Sequence, residues 1–227
     1  MTEKPLAVIV GVGDGLSASL ARLLAKEGYA LALAARSVEK LAALAKETGA
    51  STHACDASKP DDVSKLFASL PTVPSVVTYN ASFRVRGPLI ELDPADVLKT
   101  LEVTSFGAFL VTRAAAKAML PQGSGTILLT GASAGVKGYA RSAPFAMGKF
   151  GLRGLAQAAA RELHPQGIHV VHAVIDGGIR SARRLDEPGK DTLLDPDAIA
   201  ESYLHVIRQP RSAWSAEIEL RPWVETF

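Results

Sequence analysis

The sequence contains a single cysteine, Cys55, so it can form no intrachain disulfide and lacks the paired cysteines of a zinc finger. No apolar run approaches the roughly 20 residues that a membrane-crossing helix needs, and the first residues lack the pattern of a signal peptide. An excess of one charge is also missing, because 25 basic and 23 acidic residues leave a net charge of +2. We therefore expect a cytoplasmic protein with no metal site, no membrane partner and no nucleic-acid partner.

What the sequence does contain is a regular alternation of short apolar runs with longer stretches of helical period. This alternation predicts βαβ units, in which helices cover both faces of one parallel sheet. We expect one Rossmann-type, doubly wound α/β domain over residues 1–227, with seven parallel strands. The predicted strands are Leu6–Val10, Tyr29–Ala35, Ser51–Asp56, Ser75–Tyr79, Thr126–Thr130, His169–Ile175 and Ala216–Leu220. The predicted helices are Leu16–Glu27, Val38–Glu47, Asp61–Ser69, Pro94–Val103, Gly107–Leu120, Pro144–His164 and Asp197–Ile207.

Gly11, Gly13 and Gly15 form a cluster between the first predicted strand and the first predicted helix. Glycines at such a turn let backbone amides approach a diphosphate, which the N-terminus of the helix further stabilises. We predict that these glycines and Leu16 bind a dinucleotide, although a plain strand-to-helix turn also explains the cluster. Asp14 either caps the helix or opposes anion binding through its negative charge.

The second predicted strand ends at Ala35 and is followed by Arg36. An acidic residue at this strand end would bind the ribose hydroxyls of NAD. The small Ala35 instead leaves room, and Arg36 can pair with a 2′-phosphate. The sequence therefore favours NADP as the cofactor and leaves NAD possible, since Arg36 could equally be a solvated surface charge.

Taken in order along the chain, these features resemble the short-chain dehydrogenase/reductase family. Gly11 and Gly15 match the family's glycine loop, and Asp56 matches the acidic residue after its third strand. Asn80 matches the second asparagine of its N-N-A-G stretch, and Gly177 matches the glycine of its P-G turn. The resemblance implies that Asp56 contacts the adenine of the cofactor and that Asn80 and Gly177 lie beside the cofactor.

The resemblance also implies a catalytic set of Tyr, a Lys four residues later, Ser and Asn, in which the Tyr donates a proton. Lys149 is present, but the other three positions hold Phe145, Ala132 and Thr104. We expect Lys149 to take part in catalysis and to bind the nicotinamide ribose, while a solvated lysine on the helix surface is the alternative.

Another residue has to donate the proton that the absent tyrosine would supply. The candidates are polar residues in the loop before the predicted helix that carries Lys149. Ser133 and Tyr139 lie in that loop, where the family's site is found, beyond the carboxyl ends of the strands. We predict that Ser133 or Tyr139 takes part in catalysis, while a hydroxyl bonded only to the backbone is the alternative for each.

Residues 177–196 occupy the family's substrate-covering position, and their glycines, prolines and charges predict a mobile loop. Arg180, Arg183 and Arg184 in this loop could receive an acidic substrate or the phosphates of the cofactor. In the family, the helices that correspond to Gly107–Leu120 and Pro144–His164 pair between subunits. The resemblance therefore implies a homodimer or a homotetramer.

Three functions remain open at the level of the sequence. The first is an NADP-dependent oxidoreductase that acts on a small molecule with a non-standard proton donor. The second is a non-catalytic dinucleotide-binding pseudoenzyme that serves as a redox sensor or a partner subunit. The third is a Rossmann-shaped scaffold that binds no nucleotide.

Overall fold

Strands and helices alternate along residues 4–181, 184–186 and 189–226, which are the residues that the computed structural model describes. The strands are β1 (Leu6–Val10), β2 (Ala30–Ala35), β3 (Ser51–Ala54), β4 (Val76–Tyr79), β5 (Gly125–Thr130), β6 (Ile168–Ile175), β7 (Gly178–Ile179), β8 (Leu193–Leu194) and β9 (Glu217–Leu220). The α-helices are α1 (Leu16–Lys26), α2 (Ala42–Thr48), α3 (Pro60–Ala68), α4 (Pro94–Leu101), α5 (Gly107–Met119), α6 (Ala143–Leu163) and α7 (Pro196–Ile207).

Seven of the strands form one parallel sheet in the order β3-β2-β1-β4-β5-β6-β9. The chain moves outward from β1 to β3 and then crosses back to place β4 on the other side of β1. Ligands of open α/β sheets bind beyond the carboxyl ends of the strands at such a reversal. The predicted Rossmann-type fold with a seven-stranded parallel sheet is therefore confirmed, and its topology directs attention to the ends of β1 and β4.

Helices cover both faces of the central strands. Every residue of β1 is buried: Val8 and Val10 belong to the core formed with α3, α5 and α6, whereas Ala7 and Ile9 belong to the core formed with α1 and α7. Successive side chains of a strand point to opposite faces, so a strand that lies between two helical layers needs apolar residues at every position. This is why the apolar runs of the sequence mark the strands.

The two edge strands depart from this expectation, because they do not bury both faces. Residues Ser51 and Thr52 of β3 are exposed, and so are Glu217 and Glu219 of β9. An edge strand lacks a neighbour on one side and can leave part of its surface in water. The prediction of two apolar faces was therefore wrong for β3 and β9.

Three predicted segments also differ in detail. The predicted helix Val38–Glu47 is a 3₁₀ turn, Val38–Leu41, followed by α2. The predicted helix Pro94–Val103 is α4 followed by a π-helical turn, Glu102–Phe106, that leads directly into α5. The predicted loop 177–196 contains β7 and β8, which pair in parallel as a small second sheet. Among the described residues, no helix combines the length and apolar character needed to cross a bilayer.

Candidate active site

The glycine cluster lies at the carboxyl end of β1, immediately before α1. Gly11 has a φ of +85°, and a Cβ at this position would lie 2.3 Å from the backbone nitrogen of Ala81, so only glycine fits. At Gly13 and Gly15, by contrast, no atom of the described residues beyond the adjoining chain lies within 4 Å of the place that a Cβ would occupy. These two glycines keep a groove open in front of the backbone amides that begin α1, which suits an anionic group.

A chain of hydrogen bonds holds this loop against the end of β4. The Asn80 side-chain amide donates to Ser17 Oγ at 2.7 Å, and Ser17 Oγ donates to the Gly11 carbonyl oxygen at 3.2 Å. Asn80 was predicted as a cofactor residue and lies at this edge, but Ser17 was missed as the link between the two strands. Asp14 is exposed, and the residue that caps α1 is Gly15, so the proposed capping role of Asp14 was wrong.

Next to the glycine loop, a cavity of about 310 Å³ extends past the end of β2. Ala35, Arg36 and Asp56 line it, and so does Lys40, which sequence analysis missed. Lys40 lies in the 3₁₀ turn, four residues after Arg36. A second basic residue at this spacing is the feature of the sequence that could have identified it.

Asp56 is itself part of a turn. Burial opposes ionisation of Asp56, but Ser58 donates to its Oδ1 from the backbone nitrogen at 3.0 Å and from Oγ at 2.7 Å, and the pKa of Asp56 is lowered as a net result. Arg36 and Lys59 contribute to the lowering through their positive charges. Its carboxylate therefore remains ionised at the wall of the cavity.

A second cavity, with a volume of about 490 Å³, lies beyond the ends of β4, β5 and β6. We call it the principal cavity because the candidate catalytic residues line it. Asn80 lines this cavity, the cavity beside Arg36 and a third cavity along the glycine loop, so the three adjoin one another at the sheet reversal. The predicted residues that line the principal cavity are Asn80, Ser133, Tyr139, Lys149 and Gly177. The structure thus brings the candidate catalytic residues and the candidate cofactor residues to one edge of the sheet.

Lys149 is 4% exposed, although its side chain is charged at neutral pH in most settings. Its Nζ donates to the Thr130 carbonyl oxygen at 2.8 Å and lies 5.7 Å from the centroid of the Phe145 ring. Burial lowers the pKa of Lys149 to about 8. A buried ammonium with a lowered pKa, at the wall of a cavity, can release a proton near neutral pH.

The three positions that lack the expected polar groups have different surroundings. Phe145 and Ala132 line the principal cavity, and Phe145 packs under the guanidinium of Arg84, whose Cζ lies 4.9 Å from the ring centroid. Thr104 is fully buried in the π-helical turn, next to Gly148, and its Oγ1 accepts a hydrogen bond from the Phe83 backbone at 3.4 Å. Thr104 therefore supports the wall of the site and does not line the cavity.

Ser133 and Tyr139 lie on the loop that follows β5 and leads to α6, the helix of Lys149. Ser133 begins a short 3₁₀ turn, Ser133–Gly135, and its carbonyl oxygen accepts hydrogen bonds from the backbone of Val136 and Lys137. Tyr139 is 43% exposed, and Lys137 Nζ lies 5.5 Å from its ring centroid. Both residues line the cavity that Lys149 also lines.

The predicted arginines of the covering segment separate into different surroundings. Arg180 forms an ion pair with Asp195 and lines the cavity along the glycine loop. Arg184 lines the principal cavity, and Arg183 lies outside the described residues. Arg84 and Arg86 line the same cavity as Arg184 but were not predicted from the sequence. The signal that could have identified them is their position a few residues after Asn80, which lies at this edge of the sheet.

His172 of β6 is buried against Gly131, where an added Cβ would lie 2.1 Å from its Nε2. Its Nδ1 lies 2.8 Å from Glu217 Oε2, and Arg153 of α6 binds the same carboxylate. Burial lowers the pKa of His172, the hydrogen bond and charge of Glu217 oppose the shift, and the charges of Lys149 and Arg153 add to it. This histidine is a neutral packing residue next to the site.

Among the described residues, no group of three or more His, Cys, Asp or Glu side chains could hold a metal ion.

Comparison with known proteins adds three relatives. The family described as short chain dehydrogenase matches residues 5–187. A 3-oxoacyl-[acyl-carrier-protein] reductase of Bos taurus is 31% identical over 170 residues, which are 73% of this chain and 72% of that protein. A short-chain dehydrogenase from Rhodopseudomonas palustris has a TM-score of 0.85 at 33% identity, covering 97% of this chain and 100% of that one. An alcohol dehydrogenase from the archaeon Thermococcus sibiricus, complexed with 5-hydroxy-NADP, has a TM-score of 0.87 at 26% identity, covering 99% of both chains.

Proposed function

This chain belongs to the short-chain dehydrogenase family, and we propose that it is an NADP(H)-dependent oxidoreductase of small molecules that uses a proton donor other than tyrosine. The observation that carries the proposal is the position of Lys149. Its buried ammonium lines a cavity that adjoins the open glycine groove through Asn80. A groove for an anionic cofactor and a proton source therefore lie side by side at the sheet reversal.

The described residues fit a dinucleotide with an additional phosphate. Gly13 and Gly15 leave free space before the N-terminus of α1, and Gly11 and Leu16 complete the groove that would hold the diphosphate. Arg36 and Lys40 would bind a 2′-phosphate in the cavity beyond the end of β2. Because residue 35 is alanine, the end of β2 carries no carboxylate that would repel this phosphate.

At the other end of the groove, Asn80, Lys149 and Gly177 line the principal cavity and would hold the nicotinamide ribose. Asp56 lies toward the end that would receive the adenine. The related Thermococcus sibiricus enzyme is complexed with an NADP derivative, which supports the same class of cofactor here.

When bound, NADPH supplies the hydride. We assign the matching proton to Lys149 Nζ, because a lysine whose pKa is about 8 is largely protonated at pH 7 and still acidic enough to donate. The substrate oxygen would receive this proton while Ser133 and Tyr139 orient it with their hydroxyl groups. Phe145 has no proton to give, so its ring contributes an apolar wall to the cavity.

The test is a titration of the purified protein with NADPH and with NADH, followed by nicotinamide fluorescence. We expect tighter binding of NADPH, and we expect Arg36→Gln to reduce the affinity for NADPH while leaving that for NADH unchanged. Arg22→Gln, which removes an equal charge from the surface of α1, is the matched control. Equal binding of the two dinucleotides would contradict the NADP assignment, and no binding of either would favour a scaffold.

Catalysis is tested separately by following NADPH oxidation with a panel of ketones, imines and conjugated alkenes. Turnover that is lost in Lys149→Met and reduced in Ser133→Ala or Tyr139→Phe would support the proposed roles. Binding of NADPH without turnover of any class would instead favour the pseudoenzyme alternative.

We also propose that residues 177–196 cover the substrate and that the protein assembles as a homodimer or homotetramer. Gly177, Ile179 and Arg184 of this segment line the principal cavity.

On α5 and α6, the large apolar side chains of Phe109 and Phe150 are 44% and 46% exposed. Exposed apolar surface of this kind on neighbouring helices suits a subunit contact. Light scattering tests the assembly, and we expect the Phe150→Glu variant to form a smaller species than the unaltered protein.

A further inference from the structure

Three arginines line the principal cavity. Arg84 and Arg86 come from the segment after β4, and Arg184 comes from the segment between β7 and β8. Within residues 4–181, 184–186 and 189–226, none of the three forms an ion pair. Other arginines of the chain do pair, as Arg153 does with Glu217 and Arg180 with Asp195.

The three guanidinium groups also lie close enough to affect one another. Burial lowers the pKa of Arg84, and the positive charges of Arg86 and Arg184 lower it further. Like charges that converge on one half-enclosed space are unfavourable until a negative charge enters that space. A set of arginines that has no acidic partner among the described residues is therefore suited to an anionic ligand.

Acidic side chains of the same cavity do not cancel this charge. Among the described residues that line it, the acidic ones are Asp176 and Glu225. Asp176 is buried, and its Oδ2 lies 3.7 Å from Arg221 Nη2, so its charge faces another cation. Glu225 is exposed, and it forms no ion pair with Arg84, Arg86 or Arg184 in the described part of the chain. The cavity therefore keeps an excess of positive charge.

We propose that the substrate is a small carbonyl compound with an anionic group, a carboxylate or a phosphate, that Arg84, Arg86 and Arg184 bind; this rests on the function proposed above. Guanidinium groups bind both anions through paired, charge-assisted hydrogen bonds. Arg84 Cζ and Lys149 Nζ lie 4.9 and 5.7 Å from the centroid of the same Phe145 ring. The group that would bind the anion and the group that would donate the proton thus lie beside the same ring, at the wall of one cavity.

The test is isothermal titration calorimetry on protein saturated with NADP⁺, with two matched pairs of probes. Levulinate is compared with levulinamide, and dihydroxyacetone phosphate is compared with dihydroxyacetone. We expect at least one anionic probe to bind about tenfold or more tightly than its neutral partner, since a hydrogen bond to a charged group contributes that much. The pair that shows the difference identifies the anion as carboxylate or phosphate.

Variants of the chain then locate the binding. Arg84→Gln and Arg86→Gln should each remove most of the preference for the anion, while Arg22→Gln, with the same charge change on α1, should keep it. Glu225→Gln should increase the preference, because it removes an opposing charge from the cavity. Thermal unfolding and NADP⁺ binding of each variant show whether it is folded, and Arg86→Gln serves if Arg84→Gln does not fold.

Equal binding within both pairs, absence of binding by both anionic probes, or equal effects of Arg84→Gln and Arg22→Gln would overturn the proposal. The same titrations separate it from the proposed function. A protein that binds NADP⁺ but shows no preference for anions keeps the oxidoreductase function and loses this substrate class. A protein that binds no NADP⁺ but retains an arginine-dependent preference for the anion loses the oxidoreductase function instead.

Discussion

Replacement of Lys149 by methionine should make the protein more stable while removing its function. The folded protein holds this ammonium in a buried position that lowers its pKa from 10.5 to about 8. Each unit of pKa shift corresponds to about 1.4 kcal/mol, so the charged lysine costs the folded state about 3 kcal/mol at pH 7. Methionine has a similar length and carries no charge.

The variant also loses the hydrogen bond from Nζ to the Thr130 carbonyl oxygen, which costs about 1.5 kcal/mol because the donor is charged. The net expectation is a gain of about 2 kcal/mol in the free energy of unfolding. For a chain of this size, this raises the melting temperature by about 4–8 °C. The affinity for NADPH and any turnover should fall at the same time, because Lys149 lines the cavity that adjoins the groove.

The dependence of stability on pH tests this explanation more directly than a single melting temperature does. A lysine whose folded pKa lies below its unfolded value binds fewer protons in the folded state, so stability rises as the pH increases from about 8 to 10.5. Lys149→Met lacks this rise, and its advantage in melting temperature should shrink across that interval. Thermal unfolding followed by circular dichroism between pH 7 and pH 10.5 measures the difference between the two proteins. Lys46→Met, at an exposed lysine of α2, is the control and should show no such trend.

A variant that is less stable than the natural protein at pH 7 would refute this reasoning. So would a difference that stays constant across the alkaline range. Either result would mean that the lysine is better solvated or better paired than its burial and its contact with Thr130 indicate.

Three further predictions concern other parts of the site. The double variant Phe145→Tyr, Ala132→Ser restores the tyrosine and the serine of the family's catalytic set and leaves Thr104 in place of the asparagine. It should create NADPH-dependent reduction of simple ketones, and NADPH binding without such activity would contradict the assignment of the cleft. Gly11→Ala should abolish dinucleotide binding and destabilise the fold by several kcal/mol, because its φ of +85° and the backbone nitrogen 2.3 Å from the new Cβ both oppose a side chain. His172 has a folded pKa below 6.5, so the free energy of unfolding should fall as the pH drops from 7 to 5, and His172→Gln should make that fall shallower in chemical denaturation.

The central sheet could be predicted from the sequence because its strands are buried on both faces. The predicted ends of β1 agree with the structure, and the other six strands of the sheet differ by one or two residues at an end. Edge strands carry a weaker signal, since β3 and β9 leave polar side chains in water. The π-helical turn at Glu102–Phe106 could not be predicted, because it packs against α6, where Thr104 lies next to Gly148, and no local pattern records that contact.

In the site, several of the cofactor residues that the sequence predicted directly follow the end of one strand. The glycines follow β1, Arg36 follows β2 and Asn80 follows β4, so their roles depend on position along one element. Arg84 and Arg86 were missed because their contribution depends on meeting Arg184, which lies about one hundred residues further along the chain. No local pattern records that convergence, and only the folded chain brings the three charges to one cavity.

The replacement at position 145 and the arginines are connected through one aromatic ring. A tyrosine there would place a hydroxyl in the cavity as both a proton donor and a hydrogen-bond partner, whereas Phe145 presents only its ring. The face of that ring attracts cations, and Arg84 and Lys149 both lie within 6 Å of its centroid. Loss of the hydroxyl therefore leaves a site whose chemistry depends on positive charge, with Lys149 as the proton source that we propose and Arg84 as the group that attracts the substrate. Under this interpretation, the substitution of tyrosine changes the kind of substrate that the cavity selects and leaves the capacity for reduction in place.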